Sequence, residues 1–96
     1  MSATRAQICN KKGLHARAAA KVVKLAGTYD ATLEIIRLSR TGETEEARAG
    51  ATSILSLLML AADNGSTVEI HASGAQAEEA SAALVALIAR RFDEEE

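Results

Sequence analysis

The sequence predicts an α/β (α+β) two-layer sandwich. Three observations lead there. Stretches with the two-residue apolar alternation of strands and stretches with helical periodicity follow one another in the order βαββαβα. Each stretch has one apolar face, so strands and helices must cover one another. Single glycines and short polar turns separate the stretches, and the chain has no proline and no linker-like segment. Residues 1–96 are therefore expected to form one domain, as a length of 96 residues allows.

Each element has its own signal. Residues 4–9 (TRAQIC) alternate, with Ala6 and Ile8 on one face and Cys9 closing the strand. From Ala16 to Ala26, Ala19, Val22, Val23 and Ala26 recur at helical spacing, and Gly27 is a stop. Residues 32–39 (TLEIIRLS) read as a strand whose alternation slips at Ile35-Ile36, which implies a bulge or two locally buried faces. Thr41-Gly42 is a turn, and residues 44–49 form the returning strand, although Glu and Ala favour helix. Residues 53–62 (SILSLLMLAA) read as a helix with two apolar stripes: Ile54, Leu57, Leu58 and Ala61, then Leu55, Met59 and Ala62. Asp63-Asn64-Gly65 is a turn. In residues 66–72, Val68, Ile70 and Ala72 point one way and Thr67, Glu69 and His71 the other. A last helix spans 75–92, with Ser73 and Gln76 at capping-box spacing and a stripe of Ala77, Ala80, Leu84, Leu87 and Ile88. The terminal run Asp93-Glu94-Glu95-Glu96 reads as a frayed, solvated end.

Composition excludes several classes. Eleven Lys and Arg against 13 Asp and Glu leave a net charge of −2, so the basic excess of a nucleic-acid binder is missing. Two aromatics, Tyr29 and Phe92, cannot build a base-stacking platform. No window reaches the 18 or so apolar residues of a membrane span, and the first residues lack the apolar core of a secretory signal. One cysteine, Cys9, forbids an intrachain disulfide and fits a reducing, cytoplasmic compartment. Two histidines and one cysteine, widely spaced, make no metal site. No bound cofactor is expected.

The informative segment is Gly13-Leu14-His15-Ala16-Arg17. A histidine stands where a helix start wants Ser, Thr, Asp or Asn. The first backbone N–H groups, those of Ala16 and Arg17, are then available to an anion, and Arg17 adds a forked cation suited to phosphate. The helix dipole and Arg17 both disfavour imidazolium, so the ring is expected neutral and nucleophilic. Spacing alone also fits a solvated loop histidine. It fits a small hydrolase with an Arg-lined phosphate cradle as well, or a regulatory interaction domain with no chemistry at His15. Ser53 reads as a cap at the start of the second helix. Leu55, Leu58 and Met59 read as an exposed docking patch near His15 or as the second face of a doubly buried helix.

ICNKKGLHARAAAKVVKL, with SILSLLMLAADNGSTVEIHASG and AEEASAALVALIARRFD further on, resembles HPr, the family of histidine-containing phosphocarriers of the phosphoenolpyruvate-dependent phosphotransferase system. The likeness covers nearly the whole chain. The Asn-Lys-x-Gly-x-His-Ala-Arg run and the end of the chain look most like the nitrogen-related branch. The resemblance implies an open-faced sandwich with three helices on one face of a four-stranded antiparallel sheet. It implies phosphorylation of His15 on Nδ1, with Arg17 attending the phosphoryl group. Also implied are a cytoplasmic monomer, a stoichiometric carrier rather than an enzyme, and Mg²⁺ needed only upstream. The partners it implies are enzyme I as donor, IIA-type proteins as acceptors, and a serine kinase/phosphorylase acting on Ser53. Docking through Leu55, Leu58 and Met59 follows from the same likeness. One departure is Ala18, where most members carry proline; that leaves the first helical turn less pre-organised.

Overall fold

The computed structural model describes residues 2–94. Its elements are β1 (Ser2–Gln7), α1 (Ala16–Ala26), β2 (Thr32–Leu38), β3 (Glu45–Gly50), α2 (Ile54–Met59), β4 (Thr67–Ser73), α3 (Ala77–Ala89) and a short 3₁₀ turn (Arg91–Asp93). The strands form one antiparallel sheet in the order β1-β4-β2-β3. The three helices and the sheet make an open-faced sandwich, the architecture expected from the sequence. Leu33 and Ile35 of β2 and Val68, Ile70 and Ala72 of β4 meet Ala18, Ala19 and Val22 of α1, Leu57 of α2, and Ala80, Leu84, Leu87 and Ile88 of α3 in one buried cluster. Ile35 lies opposite Ile70 in the β2–β4 register.

Two locally buried faces are realised at the Ile35-Ile36 step, while the irregularity in the ladder falls further along the strand. The β2–β3 register shifts between Arg37 and Leu38. Ile36, in register with Glu69 and Arg48 on the other side of the sheet, is also buried. Over that open face Arg5 pairs with Glu69, Glu69 with His71, and Arg48 with Glu45 and Glu34. His71 therefore has a carboxylate partner at 2.6 Å.

Besides shifts of one or two residues at other ends, four features differ from the sequence reading, each for a tertiary reason. β1 ends at Gln7, because Ile8 leaves the ladder to exchange hydrogen bonds with the 63–66 turn (Ile8 N to Ser66 O, 2.9 Å; Gly65 N to Ile8 O, 2.7 Å). Cys9 thus follows the strand, and its thiol donates to Ile88 O. α2 stops at Met59 instead of 62: Ala61 takes a left-handed φ of 54°, and Arg37 Nε caps the freed Leu60 carbonyl at 2.8 Å. This shortening corrects the stripe. Leu57, Leu60 and Ala62 are buried, while Ile54, Leu55, Leu58, Met59 and Ala61 face outward. Ser73 belongs to β4, so no capping box forms; Gln76 is the N-cap of α3, and its side chain instead accepts from Asp30 N at 2.8 Å. Finally, α3 ends at Ala89. Arg91, Phe92 and Asp93 all have positive φ, and the turn drives Phe92 into the core at 1% exposure. Left-handed non-glycine residues cost about 1 kcal/mol or more each. Burial of a phenylalanine side chain returns about 1.5–3 kcal/mol, and Lys21 Nζ binds the Phe92 carbonyl.

Gly13 has φ 67°, and a Cβ there would lie 2.6 Å from Ala62 O and 2.8 Å from Asp63 Cα. Both backbones are fixed, because Leu14 N donates to Ala62 O at 2.9 Å. Gly27 has a right-handed φ of −69°, and an added Cβ would meet only ordinary contacts at 3.5 and 3.6 Å. Gly13→Ala is expected to cost about 2 kcal/mol or more. Gly27→Ala should instead stabilise by about 0.4–1 kcal/mol through the unfolded state. Urea unfolding midpoints of the two variants, at unchanged slope, check the contrast.

Candidate functional site

His15 is the N-cap of α1, with extended backbone (φ −86°, ψ −177°). A tight hairpin puts it there: Gly13 N donates to Asn10 O and His15 N to Gly13 O. Leu14 between them is buried and anchors the loop in the core. The His15 carbonyl accepts the first helical bond, from Ala19 N at 2.8 Å. Its own ring serves as the capping side chain, since Nδ1 accepts from Arg17 N at 3.3 Å. The Arg17 amide is thus not vacant, as the sequence suggested; it is held by the imidazole through a long bond. Because a backbone N–H can only donate, Nδ1 carries a lone pair directed at the positive end of the helix.

The other ring nitrogen, Nε2, meets Glu94 Oε2. Sequence reasoning placed Glu94 in a frayed end; here the left-handed 91–93 turn folds it back onto the loop. Glu95 and Glu96 lie outside the described residues. Glu94 Oε1 accepts from Asn10 Nδ2 at 2.9 Å, and the same amide donates to Gly13 O at 2.8 Å. Asn10 is fully buried. The Asn10 hydrogen bond, followed by that of His15 and the charges of His15 and Lys12, holds the Glu94 carboxyl below the usual carboxylate range, against the opposing effect of desolvation. The side chains of His15 and Glu94 remain 23% and 16% exposed, so the imidazole is reachable.

Arg17 is exposed in the first turn, and among the described residues its guanidinium has no partner. The Ala16 amide, first in the helix, has no intrahelical acceptor. Ala18, where the resemblance called for proline, is fully buried. Ser53 is the N-cap of α2, and its Oγ accepts from Ser56 N at 3.2 Å. Leu55, Leu58 and Met59 are 67%, 38% and 75% exposed and Ile54 is 41% exposed, so the doubly buried alternative for α2 fails. Asn10, Lys21, Phe92 and Glu94 went unread as site residues. Glu94 is 79 positions from His15, and no local pattern links the two.

Fold and site together define a small open-faced sandwich protein that presents a histidine on a helix N-terminus beside an arginine with no side-chain partner among the described residues. The family model described as the PTS HPr component phosphorylation site matches residues 3–90. The chain is 45% identical over 96 residues to the phosphocarrier protein HPr of Pseudomonas aeruginosa, covering 100% of both. It is 43% identical over 89 residues to the phosphocarrier protein NPr of Escherichia coli K12, covering 93% of this chain and 92% of that one. The crystal structure of HPr-C-His from Thermoanaerobacter tengcongensis superposes with a TM-score of 0.82 at 33% identity, with 100% of each chain covered. The chain belongs to the HPr family of phosphocarrier proteins of the phosphotransferase system. Its NPr relatives support the likeness to the nitrogen-related branch. No helix among the described residues is long and apolar enough to cross a membrane.

The Glu94 shift carries a sign. A carboxyl whose folded value lies below its unfolded one adds stability above the unfolded value. That stability is lost as pH falls through the folded value. Glu94→Gln should therefore remove part of the acid limb of the stability–pH profile, below the ordinary carboxylate range, and leave the neutral shape unchanged. Denaturant midpoints of both chains across the acid range test this.

Proposed function

We propose that residues 1–96 form one HPr-like phosphocarrier domain that accepts a phosphoryl group on His15 Nδ1 and hands it to a second protein. One observation carries this reading: the unprotonated ring nitrogen faces the helix N-terminus, where Arg17 N reaches it at 3.3 Å. The donor is a phosphohistidine on enzyme I. The Nδ1 lone pair forms the new N–P bond while the donor's N–P bond breaks, its electron pair returning to the donor imidazole. No water and no bound metal ion take part in that step, which rests on positioning and charge stabilisation. The Arg17 amide then gives up the ring nitrogen for a phosphoryl oxygen. The Ala16 amide and the Arg17 guanidinium supply further donors, at the positive end of the α1 dipole. Reversal toward a histidine on a IIA-type acceptor uses the same groups. The chain is thus a stoichiometric carrier in the cytoplasm, a monomer that meets its partners through Leu55, Leu58 and Met59.

With enzyme I and labelled phosphoenolpyruvate, an acid-labile, alkali-stable label is expected on His15 alone. His15→Ala should take none, and label on His71 would overturn the reading. Arg17→Lys keeps the charge and loses the fork; it should slow transfer in both directions about tenfold, the scale of one lost charge-assisted hydrogen bond, with the fold intact.

Ser53 is proposed as a regulatory phosphorylation site for a serine kinase/phosphorylase. A phosphate there would still face the α2 amides, so the fold should survive, and it would set about −1.5 to −2 charges beside the exposed apolar face. Acidic partner surfaces would be repelled. Ser53→Asp is expected to fold normally and to raise the apparent KM of enzyme I relative to Ser53→Ala. Equal values would leave Ser53 a helix cap only.

A further inference from the structure

From the contact between Nε2 and Glu94 we infer that Glu94 is a positioning residue for phosphoryl transfer: it selects the reactive tautomer of His15 and steadies the ring as it becomes cationic. The inference rests on the phosphocarrier reading and adds a residue to it.

Consider first the tautomer. A neutral imidazole has one N–H and one lone pair, and the neighbours of each nitrogen decide which is where. At Nδ1 the neighbour is a backbone N–H, which only donates. At Nε2 it is a carboxylate kept ionised by Asn10 and His15, which only accepts. Both neighbours therefore ask for the same form, Nε2–H with the lone pair on Nδ1. The alternative tautomer would set N–H against N–H on one side and lone pair against carboxylate on the other.

Charge comes next. When Nδ1 bonds to phosphorus, its lone pair is spent and positive charge develops over the ring, the proton staying on Nε2. Glu94 Oε2 lies against that proton. The carboxylate thus gains interaction as the N–P bond forms, the role an acid-oriented imidazole gives its carboxylate in nucleophilic catalysis. Glu94 sits on the nitrogen away from the incoming phosphoryl group, with the ring between the two anions.

Several anchors keep it in place. Asn10, buried and bonded to Gly13 O, holds Oε1 at 2.9 Å. Phe92 pins the tail two residues earlier, and Glu94 N donates to Arg91 O at 3.0 Å across the left-handed turn.

The test uses the full chain with Glu94→Gln and Glu94→Asp. A glutamine that keeps its oxygen on Asn10 must offer its NH₂ to Nε2, which favours the wrong tautomer. ¹⁵N NMR of the imidazole should show Nε2–H in the native chain and a shift toward Nδ1–H in Glu94→Gln. In the enzyme I assay kcat should fall about tenfold or more with KM unchanged, by analogy with a misplaced tautomer in a histidine–carboxylate pair. Glu94→Asp, still an acceptor, should restore the tautomer and part of the rate. An unchanged tautomer overturns the inference whatever the rate does, since any loss would then come from a direct partner contact. A shifted tautomer with an unchanged rate overturns it too. In both cases label on His15 of the native chain leaves the carrier reading standing; absence of that label removes both.

Discussion

The backbone of Ala62 and Asp63 lies against Gly13 with no room for a Cβ, and much of the molecule is arranged around that approach. Leu14 N is held by Ala62 O, so the loop that carries His15 is anchored to the strand-ward end of α2 rather than hanging free. For the chain to arrive there, α2 must stop after six residues and Ala61 must take a left-handed turn. The carbonyl thereby exposed at Leu60 is taken up by Arg37, which stands immediately before the register shift in β2. A sheet irregularity, a short helix and a sharp loop are thus parts of one packing solution. Its outcome is a helix N-terminus presented with a histidine as its cap.

That cap sits in an unusual local field. The first 29 residues contain six Lys and Arg and no Asp or Glu, although the whole chain has a net charge of −2. Anions are drawn to this end, and two kinds arrive from opposite directions. The side-chain carboxylate of Glu94 occupies the Nε2 side of the ring, while the Nδ1 side faces the helix N-terminus, where the proposed carrier reading places an anion from outside. The two sites are separated by the imidazole itself. A carboxylate on the Nδ1 side would compete with phosphate for the same amides; on the Nε2 side it acts on the ring without occupying the donors.

The sheet and helices were legible because their signals are local and repeated. Val68, Ile70 and Ala72 alternate without interruption, and α1 matches its expected bounds residue for residue. His15 and Arg17 were legible for a similar reason: a histidine in a cap position is an anomaly inside a five-residue window. What escaped depends on long-range packing. Leu60 and Ala62 are buried after α2 ends early, and the early end delivers Ala62 to Gly13. Nothing in SILSLLMLAA encodes that. Phe92 falls inside the helix expected over 75–92 but outside its apolar stripe; three positive φ values place it in the core from a turn instead. Glu94 stands in a run of acids that composition treats as solvated, and only the turn before it brings one of them to the ring.

The same geometry bears on how a carrier can serve more than one partner. Ile54, Leu55, Leu58 and Met59 present apolar surface on a helix whose continuation, through Ala62, braces the His15 loop. A partner that covers this face therefore grips the element that sets the height and direction of the imidazole, and recognition and reaction share one frame. The face is short and non-directional, with a flexible methionine at its end, so it discriminates weakly between partners that offer an apolar patch. Discrimination must then come from charge around it, and the basic segment 11–24 is the nearest source. The histidine loop is positive and α2 uncharged, which would favour a partner that pairs an apolar contact with an acidic rim, if partners dock on α2 as proposed. Under the proposed carrier reading, donor and acceptor would need only to share that pattern, because transfer at Nδ1 would use the same groups in both directions.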